Sequence, residues 1–409
     1  MGAAIGLIVS TRGMDVAKVL RGGFIVQDKS LKIARVSTVP FFVLTQLKAQ
    51  IDALAASGAA VTVIASHDEM SSQLAESTNY IPVNIERKIN PVKDFLSLIS
   101  LVKVFRNKKF NVVHSTTPKA GLLCAIAGFL SGTEVRLHTF TGQPWVTMGG
   151  AKKLILKFCD KIIGVLNTHC YADSVSQKNF LVSSGVIKAE KISVLGSGSL
   201  AGINLERFDS SRYSVEELAD LRSGLGIPEG SKILLFVGRV TPDKGVRELL
   251  SAFREIVRAD KSVFLILVGP FEADAENILA SASTDDLSRN LKVVGYSNEP
   301  EKYMALADLL CLPSYREGFG TVVIEAAAMG TPTVGTDIYG LSDAIVNGET
   351  GILVPVRDPA SLEQAIVSIL SDARLLEAMG EAARVRAITE FSANTCSELL
   401  INEYKRFFN

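Results

Sequence analysis

Apolar runs of strand length alternate with helical patterns from residue 32 to the end of the chain. In the first half the predicted strands are KIARVST from Lys32, AAVTVIAS, NVVHS, EVRLHTF, KIIGVLN and KISVLGS, with helices such as LTQLKAQIDALAAS and PKAGLLCAIAGFLSG between them. This alternation is typical of parallel sheets that are covered by helices on both faces. The sequence therefore predicts an α/β fold.

A second unit of the same kind begins at Lys232. Its predicted strands are KILLFVG, VFLILVG, LKVVGY, LLCLPS, TPTVGT and GILVPV, and its helices include GVRELLSAFREIVRAD and GTVVIEAAAMG. The stretch before it, from Gly196, is rich in Gly, Ser and Asn, which favour loops and linkers. The 409 residues of the chain also exceed the usual domain size of about 100 to 200. We expect two doubly wound domains in tandem.

These patterns give the expected boundaries. Residues 1–31 are an N-terminal extension without clear periodicity, and residues 32–200 are the first domain. Residues 201–390 are the second domain, and residues 391–409 are a C-terminal helix that we expect to pack back toward the first.

Composition narrows the class of protein. An apolar content of 47% with 21% charged residues is that of an ordinary globular chain and excludes extensive disorder. The longest apolar runs, such as Ala120 to Ser131, fall short of the roughly 20 residues that cross a bilayer. The first ten residues lack the basic start of a signal peptide, and the five cysteines are scattered. We expect a cytoplasmic protein with reduced thiols.

Charge is distributed unevenly along the chain. Residues 1–200 hold 23 Lys and Arg against 12 Asp and Glu, whereas residues 201–409 hold 20 against 31. A basic half joined to an acidic half indicates that one domain faces an anionic surface or ligand, although solvated surface charge is the alternative.

Two cations follow a predicted strand of the second half. Arg239 comes after LLFVG, and Lys244 lies at the start of the next helix. Open α/β sheets bind ligands at the carboxyl ends of their strands, and helix N-termini stabilise anions. This placement suits a diphosphate; an exposed pair of loop charges is the alternative.

The densest stretch of candidate chemistry is PSYREGFGTVVIEAAAMGTP, residues 313–332. A strand ends at Leu312, and a helix begins near Gly320 after a glycine-flanked turn that allows a ligand to approach the backbone. Glu317 lies in the loop and Glu325 in the helix, so the two carboxylates have different tasks, such as holding a sugar and a ribose. A capping carboxylate and a surface glutamate are the alternative.

The segments VGRVTPDKG and PSYREGFGTVVIEAAAMGTP resemble the donor domain of retaining GT-B glycosyltransferases of family 4. The hallmark of that family is Glu-x7-Glu, which Glu317 and Glu325 match. The resemblance covers about residues 32 to 400 and implies two Rossmann-like domains that face a central cleft, the first binding acceptor and the second the nucleotide-sugar donor. It implies that Arg239 and Lys244 contact the diphosphate, Glu317 the transferred sugar and Glu325 the ribose. Backbone N–H groups for the sugar and phosphates would come from Gly318, Phe319, Gly320 and Thr321.

The first half is similar to a narrower branch. HSTTPKAGLLCAIAG, RLHTFTGQPW and VLGSGSLAGINLERF resemble capsule and O-antigen transferases that extend a sugar on undecaprenyl diphosphate. Many family 4 enzymes carry Thr-x-His-Gly in the acceptor domain, but here Thr141 occupies the histidine position and His138 lies three residues earlier. Thr141, His138 and the strand-end His114 are therefore the acceptor-side candidates, with a structural role as the alternative for a lone strand-end histidine.

The resemblance implies a hexosyl- or N-acetylhexosaminyltransferase that uses a nucleotide sugar, expected to be UDP-linked, and a lipid-linked glycan acceptor. No cluster of ligand residues has metal spacing, so we expect metal-independent catalysis with no cofactor. Basic residues interleaved with aromatics are not found, so no nucleic-acid partner is expected. A nucleotide-sugar epimerase, a transferase with a soluble acceptor and a non-catalytic sugar-nucleotide-binding protein remain open.

Two basic and apolar segments lie in the first half. Met148 to Ile163 places four lysines beside Leu154, Ile155 and Phe158, and Leu96 to Phe110 repeats the combination. Such segments suit a helix at a lipid interface. We expect peripheral association with the anionic inner face of the cell membrane, with core-facing helices and solvated lysines as the alternative.

Overall fold

The computed structural model describes residues 25–26, 29–272, 277 and 285–408. Ile25–Val26 (β1) pairs antiparallel with Lys29–Ser30 (β2), ahead of the first large sheet. The rest of the predicted N-terminal extension lies outside the described residues, apart from the link at Leu31.

A seven-stranded parallel sheet organises the first half, which we call the first domain. Its strands are Lys32–Val36 (β3), Ala60–Ala65 (β4), Asn79–Pro82 (β5), Val112–Ser115 (β6), Val135–Phe140 (β7), His169–Ala172 (β8) and Ile192–Val194 (β9). The strand order is β5-β4-β3-β6-β7-β8-β9. Its α-helices are the single turn Pro40–Phe42, Lys48–Ala56 (α1), Ser71–Ser77 (α2), Pro91–Lys108 (α3), Pro118–Ser131 (α4), Gly150–Leu166 (α5) and Val175–Ser183 (α6), and a π-helical segment, Val43–Leu47, precedes α1.

A six-stranded parallel sheet organises the second domain. Its strands are Lys232–Val237 (β10), Val263–Val268 (β11), Leu291–Gly295 (β12), Leu309–Leu312 (β13), Thr333–Thr336 (β14) and Gly351–Val354 (β15), in the order β12-β11-β10-β13-β14-β15. The helices are Val215–Gly224 (α7), Val246–Ala259 (α8), the single turn Asp285–Ser288, Pro300–Leu306 (α9), Thr321–Ala328 (α10), Leu341–Ala344 (α11), Pro359–Leu370 (α12), Ala373–Glu390 (α13) and Ala393–Arg406 (α14). The chain thus has the two doubly wound Rossmann-like domains that the sequence predicts.

Burial explains why these runs become strands. Every residue of β11 is buried, and so are the central residues of β10, because helices cover both faces of the sheet. Helix α8 buries one stripe, with Leu249, Phe253 and Ile256 at helical spacing, against this sheet. The core of each domain is therefore the layer between a sheet and its helices.

One predicted strand is wrong. KIIGVLN, from Lys161, is the last part of helix α5, which buries only one side. A short run of branched apolar residues has the same composition in a strand and in an amphipathic helix, so the run alone does not separate them. The strand at this place in the sheet is His169–Ala172, whose short and partly polar sequence carries little strand signal.

The end of the chain returns to the first domain. Helix α14 packs against α1, and the buried Tyr404 hydroxyl accepts a hydrogen bond of 2.8 Å from Arg35 on β3. Within the described residues, no helix is both long and apolar enough to cross a membrane.

Candidate active site

Two neighbouring strands of the second sheet bring the predicted cations and the first glutamate together. Strand β10 leads into Arg239 and Lys244, and strand β13 leads into the loop that carries Glu317. The two strands pair in parallel, with Leu234 opposite Leu309. Because parallel strands end at the same edge of a sheet, Lys244 and Glu317, which are 73 positions apart in sequence, meet there.

Both cations hold carboxylate partners. Lys244 Nζ lies 2.5 Å from Glu317 Oε1, and both side chains are largely buried, with 17% and 13% exposed. Arg239 donates to both oxygens of Glu272 at 2.9 and 2.8 Å, in a more exposed pair. A diphosphate that binds at this edge of the sheet would therefore have to displace Glu317 from Lys244 and Glu272 from Arg239.

Close backbone approach shapes the loops of the site. Gly245 has a φ of 66°, and a Cβ added there would lie 1.9 Å from the Pro313 carbonyl oxygen, so only glycine fits. Gly320 adopts a φ of 87° directly before Thr321 begins helix α10. The sequence prediction of a strand ending at Leu312 and a glycine turn leading into a helix is confirmed.

The Phe319 side chain is part of the core. It is 2% exposed and its ring centroid lies 5.1 Å from that of Phe391. This anchoring leaves only the backbone of Phe319 for a ligand and holds the neighbouring Gly318 and Gly320 at the edge of the sheet.

Glu325 lies on helix α10, where it is partly buried, and burial raises its pKa to about 7. The positive charge of Arg207 opposes this rise, and the negative charge of Glu301 adds to it. Arg207 and Glu301 form an ion pair of 2.8 Å beside it. Glu317, paired with Lys244, and Glu325, beside the Arg207–Glu301 pair, therefore occupy different electrostatic environments.

The first domain touches the second at the Glu317–Gly320 loop. A Cβ added at Gly318 would lie 2.5 Å from the Thr141 carbonyl oxygen and 3.0 Å from Asp173 Oδ2. Ser174 Oγ donates to the Gly318 carbonyl at 3.3 Å. The carboxyl ends of strands β7 and β8 therefore meet the loop after β13 at the contact between the domains.

A second contact between the domains lies next to it. The Asp343 carboxylate of the second domain accepts hydrogen bonds from the backbone N–H groups of Val175 and Ser176, at the start of helix α6. The Tyr339 ring stacks on Phe180 with centroids 4.7 Å apart. These contacts join the domains at one side of the cleft.

The two candidate histidines lie inside the first domain, which corrects the expectation that they face the acceptor. Each is 1% exposed. The ring nitrogens of His114 contact Arg35, Tyr404 and Thr139. Burial lowers the pKa of His114 well below its ordinary value, and it lowers that of His138 to about 3. His138 Nδ1 lies 2.9 Å from Ser115 Oγ, and its ring occupies the space beside Gly121. Both are neutral core residues.

Thr141 is the acceptor-side candidate that reaches the cleft. It follows β7 and is partly buried, and its hydroxyl donates to the Thr116 carbonyl at 3.2 Å. Its backbone carbonyl is the group nearest to Gly318. Of the three candidates, Thr141 alone lies against the Glu317–Gly320 loop.

Sequence reasoning missed several residues of the site. Asp173 directly follows strand β8, so the strand-end rule would have found it had that strand been predicted. Arg316 forms an ion pair of 2.9 Å with Asp243, and the Asp343 contact joins two domains. Neither the Arg316–Asp243 pair nor the Asp343 contact could be predicted from the sequence pattern around these residues. Among the described residues, no group of three or more His, Cys, Asp or Glu is placed to hold a metal ion.

Comparison with known proteins places the chain. The family model for glycosyl transferases group 1 matches residues 219–386, and the glycosyl transferase 4-like model matches residues 32–165. The capsular polysaccharide biosynthesis glycosyltransferase CapM of Staphylococcus aureus is 31% identical over 363 residues, which cover 88% of this chain and 93% of the relative. An Escherichia coli UDP-Gal:alpha-D-GlcNAc-diphosphoundecaprenol alpha-1,3-galactosyltransferase is 28% identical over 75% of this chain and 78% of its own.

Solved structures of the GT-B type share the fold. Anabaena Alr3699/HepE in complex with UDP superposes with a TM-score of 0.77 at 18% identity, covering 92% of this chain and all of that one. WaaG, a glycosyltransferase involved in lipopolysaccharide biosynthesis, gives 0.69 at 18% identity, covering 90% and 98%. Since the match to the Staphylococcus aureus relative spans both domains, the chain belongs to the group 1 glycosyltransferase family and is a glycosyltransferase.

Proposed function

We propose that this enzyme transfers a sugar from a UDP sugar to a glycan carried on a polyprenyl diphosphate, with retention of the anomeric configuration, during synthesis of a surface polysaccharide. The observation that carries the proposal is the meeting of Arg239, Lys244 and Glu317 at the ends of paired strands, opposite the first domain. Cations for a diphosphate and a carboxylate for sugar hydroxyls belong together in a nucleotide-sugar site.

The relatives support the donor and acceptor classes. The name of the Escherichia coli relative specifies a UDP-linked galactose and a sugar on diphosphoundecaprenol. The Anabaena structures contain UDP or UDP-glucose. The Staphylococcus aureus relative is named for capsular polysaccharide synthesis. We extend a UDP donor and a lipid-linked acceptor to this chain on these likenesses.

The proposed chemistry breaks the bond between the anomeric carbon and the diphosphate oxygen and forms a bond to the acceptor hydroxyl on the same face. Positive charge develops on the sugar and negative charge on the leaving diphosphate. Arg239 and Lys244 stabilise the leaving group because they stand where its charge grows. The acceptor proton passes to the leaving phosphate, so we propose that no separate base and no metal ion are needed.

The Lys244–Glu317 ion pair gives both groups a role in this cycle. When a diphosphate takes over Lys244, Glu317 loses its partner and can accept hydrogen bonds from hydroxyls of the sugar. Glu325 then accepts from the ribose hydroxyls, which favour its ionised form. Backbone N–H groups of Gly318, Phe319, Gly320 and Thr321 complete the anion and sugar contacts in this proposal.

We propose that helices α3, α4 and α5 form the membrane-facing surface. They pack side by side in the first domain, and each exposes large apolar side chains. On α5, Leu154, Ile155 and Phe158 are 60–68% exposed, among Lys152, Lys153, Lys157 and Lys161. Helices α3 and α4 add Phe95, Leu96, Phe129 and Leu130. Exposed apolar side chains with lysines next to them on the same helix are typical of a surface that binds anionic lipid.

A donor panel tests the proposal. The enzyme is incubated with UDP-glucose, UDP-galactose and UDP-N-acetylglucosamine, with and without polyprenyl diphosphate-linked sugars, and the anomeric configuration of the product is determined by NMR. We expect a lipid-linked α-glycoside only when both substrates are present. Conversion of a UDP sugar without acceptor would indicate an epimerase, and equal transfer to a free soluble sugar would overturn the lipid acceptor.

A further inference from the structure

Asp173 is a buried carboxyl group at the contact between the two domains, and the proposed reaction gives it no role. It directly follows strand β8 and is 6% exposed. Its backbone is held on both sides, because its N–H donates to Gln177 Oε1 at 2.8 Å and its carbonyl accepts from the Ser199 N–H at 2.7 Å. The main chain of Asp173 is therefore held in place at the end of the strand.

The carboxyl group of Asp173 faces the Glu317–Gly320 loop of the second domain. Its Oδ2 lies 3.0 Å from the position that a Cβ would take at Gly318, the residue after Glu317. Its Oδ1 is buried and has no hydrogen-bond partner among the described residues. Buried polar atoms normally have partners, so a carboxyl group that has one unpartnered oxygen and reaches this loop with the other points to a ligand group.

Strand β7, the neighbour of β8, does not supply such an acceptor side chain. Strands β7 and β8 pair with Phe140 opposite Ala172, which places Thr141 and Asp173 side by side. The Thr141 hydroxyl is engaged with the Thr116 carbonyl. Asp173 therefore places beside Gly318 a carboxyl group that still has an unpartnered oxygen among the described residues.

We infer that Asp173 binds the transferred sugar, accepting a hydrogen bond from one of its hydroxyls on the side of the cleft opposite Glu317. The inference rests on the proposed function, because it takes the sugar site from there. A carboxyl oxygen accepts a hydrogen bond whether the group is ionised or neutral, so the burial that raises the pKa of Asp173 to about 8 does not remove this capacity.

This geometry divides recognition of the donor between the domains. In the proposed function the second domain holds the nucleotide and the diphosphate, and Asp173 reaches the sugar from the first domain. Removing the Asp173 carboxyl should therefore weaken binding of a UDP sugar without affecting UDP, a pattern that general loss of stability does not produce.

Calorimetric titration with UDP, and with whichever of UDP-glucose, UDP-galactose and UDP-N-acetylglucosamine the wild type uses, measures this directly. For Asp173→Ala we expect the Kd for UDP to stay within about twofold. The ratio of the UDP-sugar Kd to the UDP Kd should rise at least about tenfold, and turnover should fall by about 100-fold. Asp173→Asn keeps an acceptor oxygen, so its ratio should rise less than about threefold.

Asp160 provides the matched control. It is equally buried in the same domain at 6% exposed, but its carboxylate accepts a hydrogen bond of 2.7 Å from Trp145. Asp160→Ala should lower thermal stability and leave the ratio of the two Kd values unchanged. If it shifts the ratio as much as Asp173→Ala does, the inference is wrong.

An unchanged ratio in folded Asp173→Ala also overturns the inference while leaving the proposed function intact. Asp173→Ser, whose short hydroxyl stays distant from the sugar, carries the same test if the alanine variant does not fold. A wild-type protein that binds neither UDP nor any of the three UDP sugars would instead overturn the proposed function, and this inference with it.

Discussion

Lys244 and Glu317 form an ion pair, with 2.5 Å between Nζ and Oε1, although they are 73 positions apart in the sequence. The pair joins the loop after strand β10 to the loop after strand β13 and is shielded from solvent on most sides. Exposed ion pairs contribute little because water screens them, whereas a pair shielded to this degree is sensitive to the loss of either partner. The proposed phosphate-binding cation and sugar-binding carboxylate thus neutralise each other without ligand.

Glu317→Gln should reduce transfer by about 100-fold while nucleotide binding stays nearly intact. The charged acceptor for sugar hydroxyls is lost, but Arg239 and Lys244 remain, and Lys244 no longer has a competing carboxylate. Steady-state transfer kinetics and UDP titration measure the two effects. Wild-type turnover in this variant would show that the role proposed for Glu317 is wrong.

Lys244→Ala and Arg239→Ala should each weaken UDP binding by roughly 10- to 150-fold, the equivalent of about 1.5 to 3 kcal/mol for a charge-assisted hydrogen bond. The loss should be larger for Lys244, because its removal also leaves Glu317 without a counter-charge beside the phosphates. Arg258 is the control, since it pairs with Glu255 on the exposed side of helix α8. If Arg258→Ala weakens UDP binding equally, the effect is not local.

Transfer should be insensitive to a chelator. We propose that Arg239, Lys244 and the backbone N–H groups at the start of helix α10 balance the diphosphate charge without a divalent ion. Activity is measured after extensive dialysis against EDTA and again with added magnesium or manganese. Activity that EDTA abolishes and magnesium restores would contradict this prediction.

Glu325→Gln should stabilise the protein at high pH. A glutamate with an ordinary pKa of 4.5 ionises on unfolding, whereas burial holds the folded pKa near 7. Between these values the folded state binds more protons, so its stability falls as the pH rises. Relative to the wild type, the free energy of unfolding of the variant should be higher by about 3 kcal/mol at pH 8 and by less than about 1 kcal/mol at pH 5, as measured by urea denaturation.

The same variant should bind UDP less tightly, because the charged acceptor for the ribose is gone. Glu377→Gln, an exposed position on helix α13, is the control and should change neither property. A Glu325→Gln protein that is no more stable than the wild type at pH 8 would show that the carboxylate is not desolvated.

Replacing Leu154, Ile155 and Phe158 with serine should lower binding to vesicles that contain anionic lipid at least about tenfold, because these exposed side chains are lost from the interface. Serine at the exposed Val215, Val385 and Ile388 of the second domain is the matched control and should have no effect.

The lysines of the same helix test the charge contribution separately. Changing Lys152, Lys153, Lys157 and Lys161 to glutamine removes about 1 kcal/mol for each lysine that lies near the lipid, and the effect should fade as salt is added. Co-sedimentation at low and high salt measures it. Wild-type protein that fails to bind anionic vesicles would exclude the membrane surface.

Much of the candidate site can be predicted from local patterns. The alternation of strands and helices gives the fold class, and a strand ending at Leu312 followed by a glycine turn places Glu317 at a sheet edge. The same reasoning fails for KIIGVLN, because branched apolar residues look alike in a strand and in an amphipathic helix. It also left Asp173 unnoticed, because the strand before it is short and partly polar.

The sequence by itself determined which side chains follow which strands, since periodicity and turn residues act over a few positions. Only the tertiary structure decided which strand ends are neighbours. Strand β10 lies beside β13, so Lys244 meets Glu317, and the ends of β7 and β8 face Gly318 from the other domain. Burial likewise made His114 and His138 core residues. Strand order, domain contacts and desolvation depend on groups far apart in the chain, which local patterns do not encode.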